Sequence, residues 1–402
     1  MTSRPNLMTP ELKANPFPLY AELRRHAPVS QVDPGGMWAV TRYDDAMFVL
    51  KNPRLFSSAG FGLATNPPWL GGNPVSQSMG ALDPPQHGRL RTLVNRAFTP
   101  TAVARMEPRV RDFVTRVAAA LPLGRPVDMV PAFALPVPAY VLGELLGLEP
   151  SLHSQLKRWA DQLTSVTAIR AEETERQEPV RQAVAEVRRY FSEVVESRRQ
   201  QPGEDLVSDL LRARVDGEAL TQDELLAFMF LLLLGGLETT VHLMGLCVLA
   251  LMEHPGVMER LRADRSLVPN FVEEVLRMGA PGHGLLRLTT EEVELGGVRL
   301  PKGARVVVLL GSVCRDESQF PEGERFDLDR PGSQLPFGHG PHYCIGAALA
   351  RLEAKLATEA LLERCGRVSP GEGPVVWHRS MVVRGPSSIP AVLHPGGVAL
   401  SS

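Results

Sequence analysis

A cysteine set between glycines and a helix is the residue in this sequence best placed to do chemistry. Residues 337–346 read FGHGPHYCIG and lead directly into a helical pattern, which puts Cys344 at a helix N-terminus. There the free backbone N–H groups and the helix dipole favour a thiolate, the form of cysteine that ligates metals. Gly338 and Gly340 permit backbone conformations closed to other residues, letting amides turn toward the sulfur, and Gly346 leaves room for a flat ligand to approach the backbone. The plainer reading is a buried, inert thiol behind a glycine-rich loop. A dinucleotide-binding loop is excluded, because Tyr343 occupies the third glycine's place and no strand immediately precedes it.

Three further constellations stand out. A long apolar stretch carries Gly235-Gly236-Leu237-Glu238-Thr239-Thr240. A carboxylate inside an apolar helix costs several kcal/mol of desolvation unless it is paired, hydrated or used. The bland alternative is helix-packing glycines beside a solvated acid. His87 and Arg91 (HGRLR) are four apart and share a helix face, as many surface pairs do. Glu274 and Arg277 (EVLR) form an i,i+3 ion pair, one of the commonest patterns on any helix.

The elements that must hold these residues are mostly helical. Val29–Gln31 and Met37–Thr41 read as short strands around a turn at Asp33–Gly36. Asp83-Pro84-Pro85 opens a helix reaching about Phe98, and amphipathic segments cover roughly 101–121, 151–168, 178–200 and 204–214. Thr221–Glu224 (TQDE) is a capping box and starts a helix that need not stop before His254-Pro255-Gly256. A helix is expected around 267–279. The period then changes to two: Val293–Leu295 and Val298–Leu300 flank Gly296-Gly297 as a hairpin, and Arg305–Leu310 continues as strand. A last long helix runs from about Ile345 to Cys365, and 375–393 reads as short strands. The 26 residues of Ser57–Leu82 have no periodicity, and loops of that length inside compact domains are usually functional or mobile. With no repeats and no linker, one mainly helical domain over 1–402 with a smaller β-rich part is expected.

Bulk properties narrow the function. A formal net charge of −2 gives no reason to expect nucleic acid or an anionic membrane as partner. The N-terminus has no apolar core of signal-peptide type and no membrane anchor. The apolar run before Glu238 covers only 13 residues, so it reads as a buried helix of a soluble protein. Four scattered cysteines without CxxC or disulfide spacing suit the reducing cytoplasm.

The segment FGHGPHYCIGAALAR resembles the haem-binding signature of cytochromes P450, and the similarity extends along nearly the whole chain. It implies the triangular, mainly helical P450 fold. It makes Cys344 the proximal ligand of haem b (iron protoporphyrin IX), whose thiolate favours O–O cleavage. Phe337, Gly338 and Gly346 then bed the haem, while His87, Arg91, Arg287 and His342 become partners of its propionates. Glu238 and Thr239 resemble the acid–alcohol pair beside the oxygen site, where the acid relays protons and the alcohol hydrogen-bonds the oxygen. Many relatives have Asp in place of this Glu. Glu274 and Arg277 resemble the structural ExxR pair that ties its helix to the Phe320–Phe326 meander.

The implied activity is insertion of one atom of O2 into a lipophilic small molecule by hydroxylation or epoxidation. The chain holds no flavin or ferredoxin module. Electrons are therefore expected from NAD(P)H through a ferredoxin and its reductase, docking on the cysteine side near Arg89 and Arg96 of what is expected to be a monomer. A peroxide-driven peroxygenase of the same fold and a non-catalytic haem sensor or partner protein are the alternatives. Retention of Glu238-Thr239 argues against the first, and retention of Cys344 together with that pair argues against the second. For the substrate pocket, Phe61, Leu63, Trp69, Leu70 and Met79 are candidates, with Leu231, Leu234 and Gly235 on the long helix and His283, Leu285 and Val383 beyond it. Such a lining suits a terpenoid, steroid, fatty acid or polyketide.

Overall fold

The computed structural model describes residues 4–215, 217–330 and 335–396. Its organising element is the long helix. Thr221 and Glu224 form the capping box, the Thr221 hydroxyl accepting from the Glu224 amide (3.2 Å) and the Glu224 carboxylate from the Thr221 amide (2.9 Å). The helix runs α-helical over Gln222–Leu232, widens to a π-helical turn over Leu233–Glu238, and resumes over Thr239–Glu253. It is apolar nearly all round because other helices surround it. By length and composition it could cross a membrane, but 78% of its most apolar window is buried inside the fold, as expected of a core helix.

Helices Pro136–Leu146, His153–Ser165, Val268–Gly279 and Ala347–Arg364 pack around it, and their apolar faces merge into one large core. The β-rich part lies apart from this bundle. Its main sheet has five strands in the order Val29–Val32, Met37–Val40, Arg305–Leu309, Gly284–Thr289, Phe56–Ser57. Met37–Val40 runs parallel to Arg305–Leu309, and Gly284–Thr289 is antiparallel to it with Arg287 opposite Val306. The Gly296-Gly297 hairpin is present, both glycines at positive φ (55° and 76°) as a two-residue turn requires.

Several elements go beyond the sequence expectation, Pro10–Ala14 and Pro255–Ala263 among them. Phe17–His26, Tyr43–Lys51 and Pro136–Leu146 are helical and Gly284–Thr289 is a strand. Pro136–Leu146 (PVPAYVLGELL) is buried over most of its circumference, so it offers little polar contrast to read. The aperiodic 57–82 segment is wound into a short helix, Ala59–Thr65, and two single 3-10 turns, Pro68–Leu70 and Pro74–Gln77.

Candidate active site

The residues singled out for chemistry converge on a mostly apolar cavity of about 340 Å³ between the long helix and the Cys344 loop. Glycines shape both walls. A side chain at Gly235, Gly236 or Gly346 would meet nothing within 4 Å, so these backbones lie bare toward open space. Gly340 has φ +73° and passes so close to the Leu50 carbonyl that a Cβ would stand 2.6 Å from its oxygen. Gly338 has φ +77°, and its loop is closed by the Cys344 amide donating to Phe337 O at 3.0 Å.

Cys344 lies on the cavity wall, two residues before the Gly346 cap of helix Ala347–Arg364. The helix thus starts slightly later than its sequence pattern suggests. Burial pushes the Cys344 thiol above its ordinary range, although the Gly346 amide and the charges of Arg91 and Arg351 pull the other way. The helix terminus alone does not create a thiolate; a coordinated metal ion would, since it deprotonates a thiol outright. Phe337 covers the sulfur's loop and carries the Arg351 guanidinium 4.4 Å above its ring.

Four nitrogen-bearing groups form a second wall. Arg287 is 7% exposed, and its guanidinium donates to the Leu286 carbonyl (2.9 Å). Among the described residues neither Arg287 nor Arg91 has a carboxylate at salt-bridge distance, Arg91 bonding Asn95 Oδ1 and Pro341 O. Burial, slightly relieved by Asp83, lowers Arg287 to about 10. The His87 and His342 rings lie with centres 4.2 Å apart, tilted by 43° to one another. His342 is lowered to about 3 by burial and by Arg287, His87 and Arg91; His87 is lowered by burial and Arg91. A buried guanidinium (Arg287) and a half-buried one (Arg91), neither with a carboxylate partner among the described residues, beside the imidazoles of His87 and His342, call for an anionic ligand. A cysteine, bare glycine backbones and this cationic wall around one slot fit a flat iron porphyrin with two carboxylates.

On the long helix the acid and the alcohol part company. Thr239 lines the cavity, its hydroxyl donating to the Gly235 carbonyl (2.5 Å) across the π-helical turn. Such turns concentrate at functional sites. Glu238 is absent from the cavity wall. It is fully buried on the other side, with Lys157 Nζ at 3.4 Å, His242 Nε2 at 3.1 Å and His378 Nε2 at 3.8 Å. Burial favours its neutral form, but His242, Lys157 and His378 outweigh that and hold it below the usual carboxylate range. The acid is therefore not solvated, and its carboxylate does not line the cavity.

The substrate-pocket expectation divides as well. Phe61, Met79, Leu231, Leu234, Gly235, Leu285 and Val383 line the cavity; Leu63, Trp69, Leu70 and His283 do not. Leu63 is 59% exposed, on the outer face of its short helix. Trp69 lies under the Arg181 guanidinium, Leu70 is core, and His283 is buried against the Tyr20 hydroxyl (2.8 Å). Sequence reasoning missed Phe98, Phe228 and Val382. Arg89 is not a free docking cation, because it is ion-paired with Glu224 and Glu218; the Arg96 side chain lies outside the described residues.

Another missed residue is Glu353, on the cavity wall yet only 3% exposed, with Oε2 lacking a hydrogen-bond partner. Its signal was an acid on the apolar stripe Leu349, Leu356, Ala360. Burial raises its carboxyl to about 8. A raised acid binds its proton more tightly folded than unfolded, so it adds stability at low pH that is lost as pH rises from about 4.5 through about 8. Glu353→Gln should match the parent within about 1 kcal/mol at pH 5 and exceed it by a few kcal/mol, as an order of magnitude, at pH 9. Urea unfolding of the haem-loaded proteins at both pH values checks this, and parallel profiles would sink it.

Comparison with known proteins places the chain in a family. The family model described as cytochrome P450 matches residues 151–389. The chain is 38% identical over 408 residues to 6-deoxyerythronolide B hydroxylase of Saccharopolyspora erythraea, covering 98% of this chain and all of that one. It is 39% identical to the cytochrome P450 monooxygenase PikC of Streptomyces venezuelae, covering 94% and 91%. The solved structure of CYP109Q5 from Chondromyces apiculatus superposes with a TM-score of 0.88 at 40% identity, covering 99% of this chain and 100% of that one. The chain belongs to the cytochrome P450 family. It is an oxidoreductase of the monooxygenase type, using haem and O2.

Proposed function

We propose that the chain, acting as one unit over residues 1–402, hydroxylates or epoxidises a lipophilic small molecule in the cytoplasm. Electrons would come from NAD(P)H through a separate ferredoxin and ferredoxin reductase, meeting the protein on the cysteine side. The observation that carries this reading is a single cavity joining Cys344, the Arg91–Arg287 wall and the Thr239 hydroxyl under an apolar roof. Haem held by Cys344 supplies the redox centre at which O2 is activated and one of its atoms passed to substrate. Phe337, Gly338 and Gly346 bed that group, and Arg91, Arg287, His87 and His342 bind its carboxylates. Phe61, Phe228, Leu231 and Val382 exclude water and hold an apolar substrate by burial. The similarity of the chain to a 6-deoxyerythronolide B hydroxylase favours a macrolide-like or comparable secondary metabolite.

Thr239 is positioned to hold a proton donor in the cavity, its own hydroxyl satisfied by Gly235 O. Glu238 serves it from behind. Its cluster reaches the surface at Asp161, 38% exposed, so a proton can enter there and cross the helix if the Glu238 carboxylate swings out of its ion pairs. Thr239→Ala should keep nicotinamide oxidation running while product per electron falls and peroxide rises. Glu238→Gln should slow the whole cycle by about 10²-fold, since an amide cannot relay a proton. Product and peroxide formed per nicotinamide consumed decide the matter. Unchanged coupling in the first variant with an unchanged rate in the second would remove both roles, and full activity with peroxide alone would favour the peroxygenase.

A further inference from the structure

The Glu238 cluster contains more ligands than a proton relay needs. Glu238 Oε1 lies 3.1 Å from His242 Nε2 and 3.8 Å from His378 Nε2, and the three ligand atoms are all within 4.8 Å of one another. A tetrahedral ion bound at roughly 2.0–2.2 Å holds its ligands about 3.3–3.5 Å apart, so the cluster needs only small adjustments to close on one. His242 is 1% exposed; its Nε2 faces Glu238 and the His378 Nε2 faces Glu238 and the Thr164 hydroxyl (3.4 Å), while the Nδ1 atoms of both rings are buried without a hydrogen-bond partner. Buried imidazole nitrogens without partners are uncommon in a settled core. Asp161 Oδ1, 3.7 Å from His378 Nε2 and ion-paired with Lys157, stands as a fourth donor, the second oxygen, and opens the cluster to solvent.

We propose that Glu238, His242 and His378, with Asp161 or water as fourth ligand, form a binding site for Zn2+. Two imidazoles and a carboxylate are a zinc donor set, and they suit borderline ions better than Mg2+ or Ca2+, which take oxygen cages. The competing cation is Lys157, which pairs with Asp161 Oδ1 and stands 3.5 Å and 3.4 Å from Glu238 Oε1 and Oε2, so a bound ion must push its ammonium aside. The two carboxylates outnumber that one ammonium, so a second cation is electrostatically favoured. Occupancy ties down the carboxylate assigned above to proton delivery; this consequence, unlike the site itself, rests on that assignment. Zinc is then a reversible brake on turnover.

The test uses the haem-loaded, chelator-washed protein. Zinc titrated by calorimetry and by competition with a chromophoric chelator should bind one ion per chain. His378→Ala and His242→Ala should each weaken it more than about tenfold, because even outer-shell changes cost that much. X-ray absorption at the zinc edge of the parent should show two imidazoles with oxygen donors, a reading that needs no variant to fold. Haem content and the reduced carbon monoxide spectrum verify that the variants are intact. Affinity unchanged in both variants, or a zinc edge with no imidazole pair, overturns the site. Binding as described with turnover indifferent to zinc would uphold the site and count against Glu238 as proton donor.

Discussion

Cys344→His should give a folded, haem-containing protein whose reduced carbon monoxide complex lacks the strongly red-shifted Soret band of thiolate ligation. Turnover should fall by more than about 10³-fold, roughly 4 kcal/mol of barrier, because imidazole does not donate electron density to iron as thiolate does. No other thiol can take over. Cys247, Cys314 and Cys365 are 3%, 0% and 1% exposed, and none lines the cavity. Burial pushes their thiols up to about 12, 12 and 11, far from the thiolate form. A variant that keeps the shifted band would show that Cys344 is not the ligand.

Arg277→Ala should cost the fold as much as the cysteine change costs the chemistry. Arg277 is among the largest fully buried side chains and grips Glu274 with two hydrogen bonds of 2.7 Å. Its remaining donors hold the carbonyls of Cys314 (2.9 Å), Gly323 (2.7 Å) and Arg325 (3.0 Å), while Glu274 accepts from the Asp327 amide (2.8 Å). One guanidinium thus pins the segment that leads toward the Cys344 loop. Removing it strands three carbonyls and leaves the buried Glu274 carboxylate only the Asp327 amide and the Arg330 guanidinium at 3.6 Å, for about 3–5 kcal/mol, a large share of a typical 5–15 kcal/mol stability. Arg277→Lys should not rescue, because an ammonium cannot span a carboxylate and three carbonyls at once. The exposed pair Arg325–Glu322 is the control, and its removal should cost under about 1 kcal/mol. Unfolding midpoints and haem occupancy report both. A loss at Arg277 no larger than the control would return that pair to decoration.

What the sequence by itself determined is what local chemistry dictates. The Thr221–Glu224 capping box, the Gly296-Gly297 turn and the glycines around Cys344 each demand one backbone conformation, and each is found where the pattern put it. Those signals sit within a few residues of what they control. The long helix was legible as a helix for the same reason, but which of its side chains meets the cavity was not. A π-helical turn holds an extra residue, and one residue rotates everything after it by about 100° relative to an unbroken helix. That rotation decides that Thr239 answers Gly235 across the cavity wall while Glu238 turns to the opposite side. Only tertiary structure could then supply its neighbours, Lys157 from one helix and His378 from a segment 140 residues further on, by Cα numbering. The same holds for Glu353, whose stripe marked it as buried without saying against what. Leu63 and Leu70 are alike as residues and lie only seven positions apart. One faces water and the other the core, because an irregular segment takes its orientation from what it packs against rather than from any period of its own.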